Sequence, residues 1–217
     1  AGHAGVIVDA AVDVTAFALD ALFVFAYAGR DVEVMGTGGL YAALNAGRNI
    51  EAIGVGPTNV QAVAGNDIAV ISTGHTFAAL FAPGDVRVAS YGDLTTYVTA
   101  GDDAAVWSRG NLFGVIDVGD ELWGLKSYSD AFVMINARQV NFVQAWGPIS
   151  GSIDATDQIV WVRSGDAITA ALTAPIIGTV VEFDPTVFLD AWPEVPDVST
   201  EHIRAQLRRL QRDLAAA

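Results

Sequence analysis

The sequence predicts an all-β fold: a single-stranded parallel β-helix, or β-solenoid, of about ten coils of 18 residues, followed by a short C-terminal α-helix. Three observations predict it. Ala10, Ala28, Ala46, Ala64, Ala82 and Ala100 recur at intervals of 18. Gly29, Gly47, Gly65, Gly101 and Gly119 keep that interval immediately behind them, with Pro83 once in a glycine's place. An Asx column (Asp13, Asp31, Asn49, Asp67, Asp85, Asp103, then Glu121) and an aliphatic column (Val14, Val32, Ile50, Ile68, Val86, Ala104, Leu122, Val140) follow in the same phase. A fixed short period is the mark of a repeat architecture, and an 18-residue unit is too short for a helix pair.

Each coil opens on a tight corner, as in Ala28-Gly29-Arg30-Asp31, because Gly and Asx supply the backbone conformations and local acceptors that bends require. A strand of alternating residues follows, Val32-Glu33-Val34. A second glycine column, Gly38, Gly56, Gly74, Gly92 and Gly110, marks the next corner. A second apolar strand comes after it, as in Phe77-Ala78-Ala79-Leu80 and Phe113-Gly114-Val115-Ile116. Two or three short strands per coil are expected. Coils stacked about 4.8 Å apart make equivalent residues vertical neighbours and give a rod on the order of 50 Å long. One inserted residue shifts the frame after Val140, and the aliphatic column resumes at Ile159 and Ile177. Eighteen is also three hexapeptides, the left-handed period. That form wants an aliphatic residue where Gly38, Gly56 and Gly74 fall, so a right-handed coil is favoured.

The ends differ from the middle. Val6, Val8 and Ala10 match the trailing half of a coil, so the chain enters the solenoid in mid-coil. Either further coils precede Ala1 or another chain covers that edge, since an open solenoid end invites strand pairing. Towards the C-terminus the glycines thin out, and Trp107, Trp123, Trp146 and Trp161 enter. Asp184-Pro185 and Trp192-Pro193-Glu194-Val195-Pro196 interrupt regular structure. The chain divides into a solenoid over 1–184, a Pro-containing linker over 185–198 and an amphipathic helix over 199–217. In that helix Ile203, Leu207, Leu210 and Leu214 share a face, with Arg204, Arg208, Arg209 and Arg212 around the rest. This stripe is expected to cap the last coil rather than to pair with a partner helix.

Composition limits function. The net charge is −14, and phosphate binding needs clustered Lys and Arg, so nucleic acid is not an expected partner. The absence of cysteine excludes disulfides, thiol catalysis and Cys-based zinc sites. The apolar run from Val14 to Ala28 contains Asp20 and is shorter than the roughly 20 residues a spanning helix needs, so membrane insertion is not expected.

Sites that could carry chemistry each have a plainer reading. Asp102, Asp103, Asp120 and Glu121 could share a calcium ion between coils, because hard cations take carboxylate oxygens and stacked like charges repel. The calcium-binding G-G-x-G-x-D nonapeptide is absent, and corner carboxylates that accept backbone hydrogen bonds account for the column. No cofactor is therefore expected, with calcium as the alternative. Tyr41, Phe77 and Phe113 share one column, where packing is favoured over a sugar-binding strip. The histidines His3, His75 and His202 are far apart, and no nucleophile elbow or phosphate loop occurs. Asp85 with Arg87, or Asp103 with Arg109, mimics the acid and base of polysaccharide-cleaving β-helices only in outline.

The units Ala28-Gly29-Arg30-Asp31-Val32 and Ala46-Gly47-Arg48-Asn49-Ile50 resemble the haemagglutinin-type repeats of large filamentous adhesins. The likeness covers roughly Ala10 to Val140, with a degraded continuation to about Val181. It implies a right-handed β-helix on a bacterial surface, within a very long chain. A second resemblance is to bactofilins, small cytoskeletal β-helices that polymerise end to end. The expected function is thus a non-enzymatic structural or adhesive rod, extracellular or at the cell surface. The alternatives are a filament subunit assembling through its solenoid edges and a polysaccharide-binding or polysaccharide-cleaving β-helix. Expected partners are neighbouring coils or copies at the N-terminal edge, and surface glycan.

Overall fold

A computed structural model describes residues 3–183. The linker over 185–198 and the helix carrying Ile203, Leu207, Leu210 and Leu214 lie outside the described residues.

Corner chemistry and alternation produce a parallel β-solenoid of about ten coils, as expected. The strands are β1 (His3–Ala10), β2 (Val14–Ala18), β3 (Ala21–Ala28), β4 (Val32–Gly36), β5 (Gly39–Ala46), β6 (Ile50–Gly54), β7 (Thr58–Ala64), β8 (Ile68–Ser72) and β9 (Thr76–Ala82). They continue with β10 (Val86–Ser90), β11 (Leu94–Ala100), β12 (Ala104–Ser108), β13 (Leu112–Val118), β14 (Glu121–Ser127), β15 (Ala131–Ala145), β16 (Ile149–Ser164), β17 (Ala171–Thr173) and β18 (Ile176–Glu182). A regular coil holds two strands, one of 5 residues and one of 7 or 8, rather than three. Each pairs in parallel with its equivalent one coil away, as in Val32↔Ile50 and Leu40↔Thr58. The solenoid therefore has a short-strand side and a long-strand side.

The core lies between the two sides. Long strands read alternately buried and exposed, as in β3 with Leu22, Val24, Ala26 and Ala28 inside. In five coils side-chain volume is shared between neighbouring inward positions. Adjacent inward positions pair Val24 with Ala26, Ala42 with Leu44, Val60 with Ala62, Ala78 with Leu80 and Gly114 with Ile116. In these coils a large residue at one position meets a small one at the next, which limits variation in the coil's cross-section; Thr96 with Val98 and Val133 with Ile135 depart from the pattern. The alanine column (Ala28, Ala46, Ala64, Ala82, Ala100) closes this core at the corner, each buried.

Glycine behind that alanine is a steric requirement. A Cβ on Gly65 would sit 2.1 Å from the Gly47 carbonyl oxygen, and one on Gly101 would sit 2.1 Å from that of Pro83. The corner backbones approach so closely because they hydrogen-bond: the Gly47, Gly65 and Gly101 amides donate to Ala28, Ala46 and Ala82. Pro83 has no amide hydrogen to donate, and its coil breaks that ladder.

The frame shift has more detail than expected. The pairing of β12 with β14 slips between Ala104 and Ala105, where Trp123 is bulged out. The next corner, at Arg138, is one residue short, and the pairing of β15 with β16 slips there to restore it. The two irregularities cancel in the aliphatic column, so Leu122 still pairs with Val140 at an interval of 18.

Candidate interaction face and corner ladders

The Asx corner is built from the backbone outward. Asp13 Oδ1 accepts the amide of Asp31 at 3.2 Å, Asp31 Oδ1 that of Asn49 at 3.1 Å, and Asp67 Oδ1 that of Asp85 at 2.9 Å. Asp103 Oδ1 accepts the amide of Glu121 at 3.2 Å. Each carboxylate thus ties its own coil to the next. Arg30 clamps Asp13 through two nitrogens, at 2.9 and 2.5 Å, and Arg48 clamps Asp31 in the same manner. These guanidinium hydrogen bonds hold the Asp13 and Asp31 carboxyls below their ordinary range. Asp103 has no such partner. Burial raises its pKa, and the nearby carboxylates of Asp85, Glu121 and Asp120 add to the rise.

The four calcium candidates do not converge. Asp103 and Glu121 belong to the corner ladder, Asp120 pairs with Arg138, and Glu121 Oε1 accepts from Gln139 at 3.2 Å and from Asn141. Among the described residues no three His, Asp or Glu side chains form a group able to hold a metal ion. Asp85 does pair with Arg87, at 3.3 Å. Asp103 and Arg109 stand at opposite ends of β12, and Arg109 lies over the Tyr91 ring.

A ladder at the opposite corner escaped the sequence reading. Ser72, Ser90, Ser108, Ser127 and Ser164 are fully buried at the ends of the short strands. Ser90 Oγ donates to the Gly74 carbonyl of the preceding coil at 2.8 Å and Ser108 Oγ to that of Gly92 at 2.9 Å. Other coils have Ala18, Gly36, Gly54 and Ala145 there, so the column lacks a constant residue type to recognise. Outside this corner Met35, Ile53, Ile71, Ala89 and Trp107 form a second, narrow apolar cluster on the short-strand side. Lys126, the only lysine, continues that column beneath Trp107.

The long-strand side carries the most distinctive surface. Its outward positions form three columns. The first reads Gly5, Phe23, Tyr41, Asn59, Phe77, Thr95, Phe113, Phe132, Ser150. The second reads Ile7, Phe25, Ala43, Gln61, Ala79, Tyr97, Val115, Met134, Ser152. The third, from Asp9 through Tyr27, Val63 and Phe81 to Asp154, borders them. The first two columns contain no charged residue over nine coils, in a chain with 25 acidic residues. Phe25 is 62% exposed, Tyr27 56% and Phe81 53%. The packing expected for Tyr41, Phe77 and Phe113, in the core or at its rim, takes place on the outer side: the alternation that buries Leu40 and Ala42 turns Tyr41 outward. Of the tryptophans, Trp107 is buried and Trp123 and Trp146 are exposed.

The rings stack on one another. Phe23 lies on Tyr41 with centroids 4.7 Å apart and planes 6° apart, and Phe113 lies on Phe132 at 5.1 Å and 6°. The coil spacing imposes this, since equivalent side chains one rung apart sit at stacking distance. Each ring in such a pair covers one face of its neighbour. Between Phe25 and Tyr97 the second column falls to Ala43, Gln61 and Ala79, which leaves a shallow trough of about 960 Å³.

No protein-family model, curated protein or solved structure matches the chain.

Proposed function

We propose that this chain is a non-enzymatic structural and adhesive rod, a segment of a large bacterial cell-surface or secreted repeat protein, and that it works through its long-strand face. One observation carries the reading: two adjacent outward columns, rich in Phe and Tyr, run the length of the solenoid without a charge. Exposed apolar patches of that extent mark interaction sites. The motif resemblance to filamentous-adhesin repeats agrees with it. The corner carboxylates, which a catalytic reading would need, each give one oxygen to a coil-to-coil hydrogen bond. Sugar rings stack on aromatic faces, and here one face of each of Phe23, Tyr41, Phe113 and Phe132 is covered by its neighbour, which leaves less ring surface for the glycan-strip alternative.

The test is attachment of the purified chain to apolar and hydrophilic solid supports, alongside the variant F25S/Y41S/Y97S/F113S. Attachment to the apolar support, lost in the variant, is expected. Equal attachment by both proteins, or turnover of an acidic polysaccharide, would overturn the reading.

The filament alternative keeps one favouring observation. β1 is paired along one edge, with β3, and its residues Val6, Val8 and Ala10 are only half-buried. Electron microscopy of the purified chain distinguishes end-to-end polymers from single rods.

A further inference from the structure

We propose that the long-strand face is covered by a second copy of this chain, the two rods lying antiparallel about a two-fold axis that passes through the fifth coil. The inference rests on the reading of that face as the working surface, and names its occupant.

The first column carries the argument. Counted outward from Phe77, its neighbours correspond on either side: Asn59 with Thr95, Tyr41 with Phe113, and Phe23 with Phe132, with Gly5 and Ser150 at the ends. Polar matches polar, aromatic matches aromatic and small matches small. A two-fold axis along the strand direction, in the plane between two facing sheets, superposes each of these positions on its counterpart in the other copy. Two-fold interfaces are isologous and so must be self-complementary in this sense.

The second column fits the same axis without repeating the symmetry. Ala79 falls on the axis. Tyr97 meets Gln61, at the floor of the trough, and Phe25 meets Met134, a favourable sulfur–aromatic contact. A ring on one rod is thus opposed by a low or flexible side chain on the other.

Pitch and area support a second copy over an unrelated protein. Rungs about 4.8 Å apart form a regular corrugation that stays in register over nine coils only with a surface of equal pitch. Nine rungs by three columns cover about 40 by 15 Å, so a facing pair buries on the order of 1,200 Å², the lower end of specific interfaces. The first two columns, without charge and rich in aromatic residues, have the composition of an interface core, and the third, with Asp9, Asp117 and Asp154, that of a polar rim.

The chain has no cysteine, so single cysteines report the geometry directly. Sedimentation of the full chain across a concentration series is expected to show a monomer–dimer equilibrium, and Phe77→Glu, which sets two carboxylates together at the axis, is expected to weaken it at least about 100-fold. A short bis-maleimide should cross-link Ala79→Cys to itself. It should not cross-link Phe25→Cys, whose copies stand six rungs, about 29 Å, apart. Efficient cross-linking of both would overturn the antiparallel arrangement in favour of parallel rods. A monomer at every concentration would overturn the inference. If that monomer still attached to apolar supports and the serine variant did not, the adhesive reading would stand without it. Dimerisation with no attachment would leave the inference intact and remove the adhesive role. Assembly unaffected by Phe77→Glu would place the contact at the rod ends.

Discussion

Ser90 illustrates how single side chains hold the corners. Its hydroxyl donates to the Gly74 carbonyl and accepts the Gly92 amide at 3.2 Å, so one atom joins two coils. Ser90→Ala removes that bond while the methyl group fits, and about 1–2 kcal/mol of stability is expected to be lost in chemical denaturation. Lys126 is the opposite case, a charge-bearing residue in an apolar column. It is 2% exposed, its amine lies 3.1 Å from the Tyr128 hydroxyl, and burial lowers its pKa from 10.5 to about 6. Between those values the unfolded chain binds a proton that the folded chain does not. Stability is therefore expected to rise with pH across that window, by up to about 1.4 kcal/mol per pH unit, and to fall on acidification towards 6. Unfolding measured from pH 7 to 9 should show this slope, and Lys126→Met should flatten it. Nothing in the sequence marked Lys126 beyond its being the sole lysine. Its burial follows from the outer side of the short strand, which is exposed in a simple two-sided alternation and here is covered by the Tyr91 and Tyr128 corner.

The elements themselves were legible because vertical stacking forces equivalent positions to repeat. The alanine, glycine and aliphatic columns fall on the observed register at an interval of 18. What was not legible follows from the same stacking. A bulge at Trp123 cancelled by a short corner at Arg138 leaves the aliphatic column in step and so conceals itself. The serine ladder was hidden because alanine, glycine and serine all occupy one tight column. Core positions also compensate within a coil, which yields a test at this scale. Leu80→Ala is expected to cost about 2–5 kcal/mol. Adding Ala78→Val reproduces the Val60–Ala62 pattern of the coil before, and should recover at least about 1 kcal/mol in a double-mutant cycle. Independent, additive costs would show that volume is not shared between the two positions.

At the scale of the whole molecule the two sides divide the labour. The corners and the interior bind coil to coil, and the long-strand side offers two charge-free columns that the interior does not need. The aromatic columns were visible in the sequence, but their direction was not. Tyr41, Phe77 and Phe113 are apolar and periodic, as core residues are, and only the phase of the strand decides which way they point. The central claim is that these rings serve recognition rather than the fold. It is tested most directly by measuring thermal unfolding and attachment on the same preparation of the F25S/Y41S/Y97S/F113S variant. Outward substitutions forfeit only ring stacking, at roughly 0.2–1 kcal/mol per cross-strand pair, so the account predicts an intact solenoid with a modestly lower Tm and no attachment. A variant that unfolds at room temperature, or one that folds and attaches as well as the parent, would contradict it.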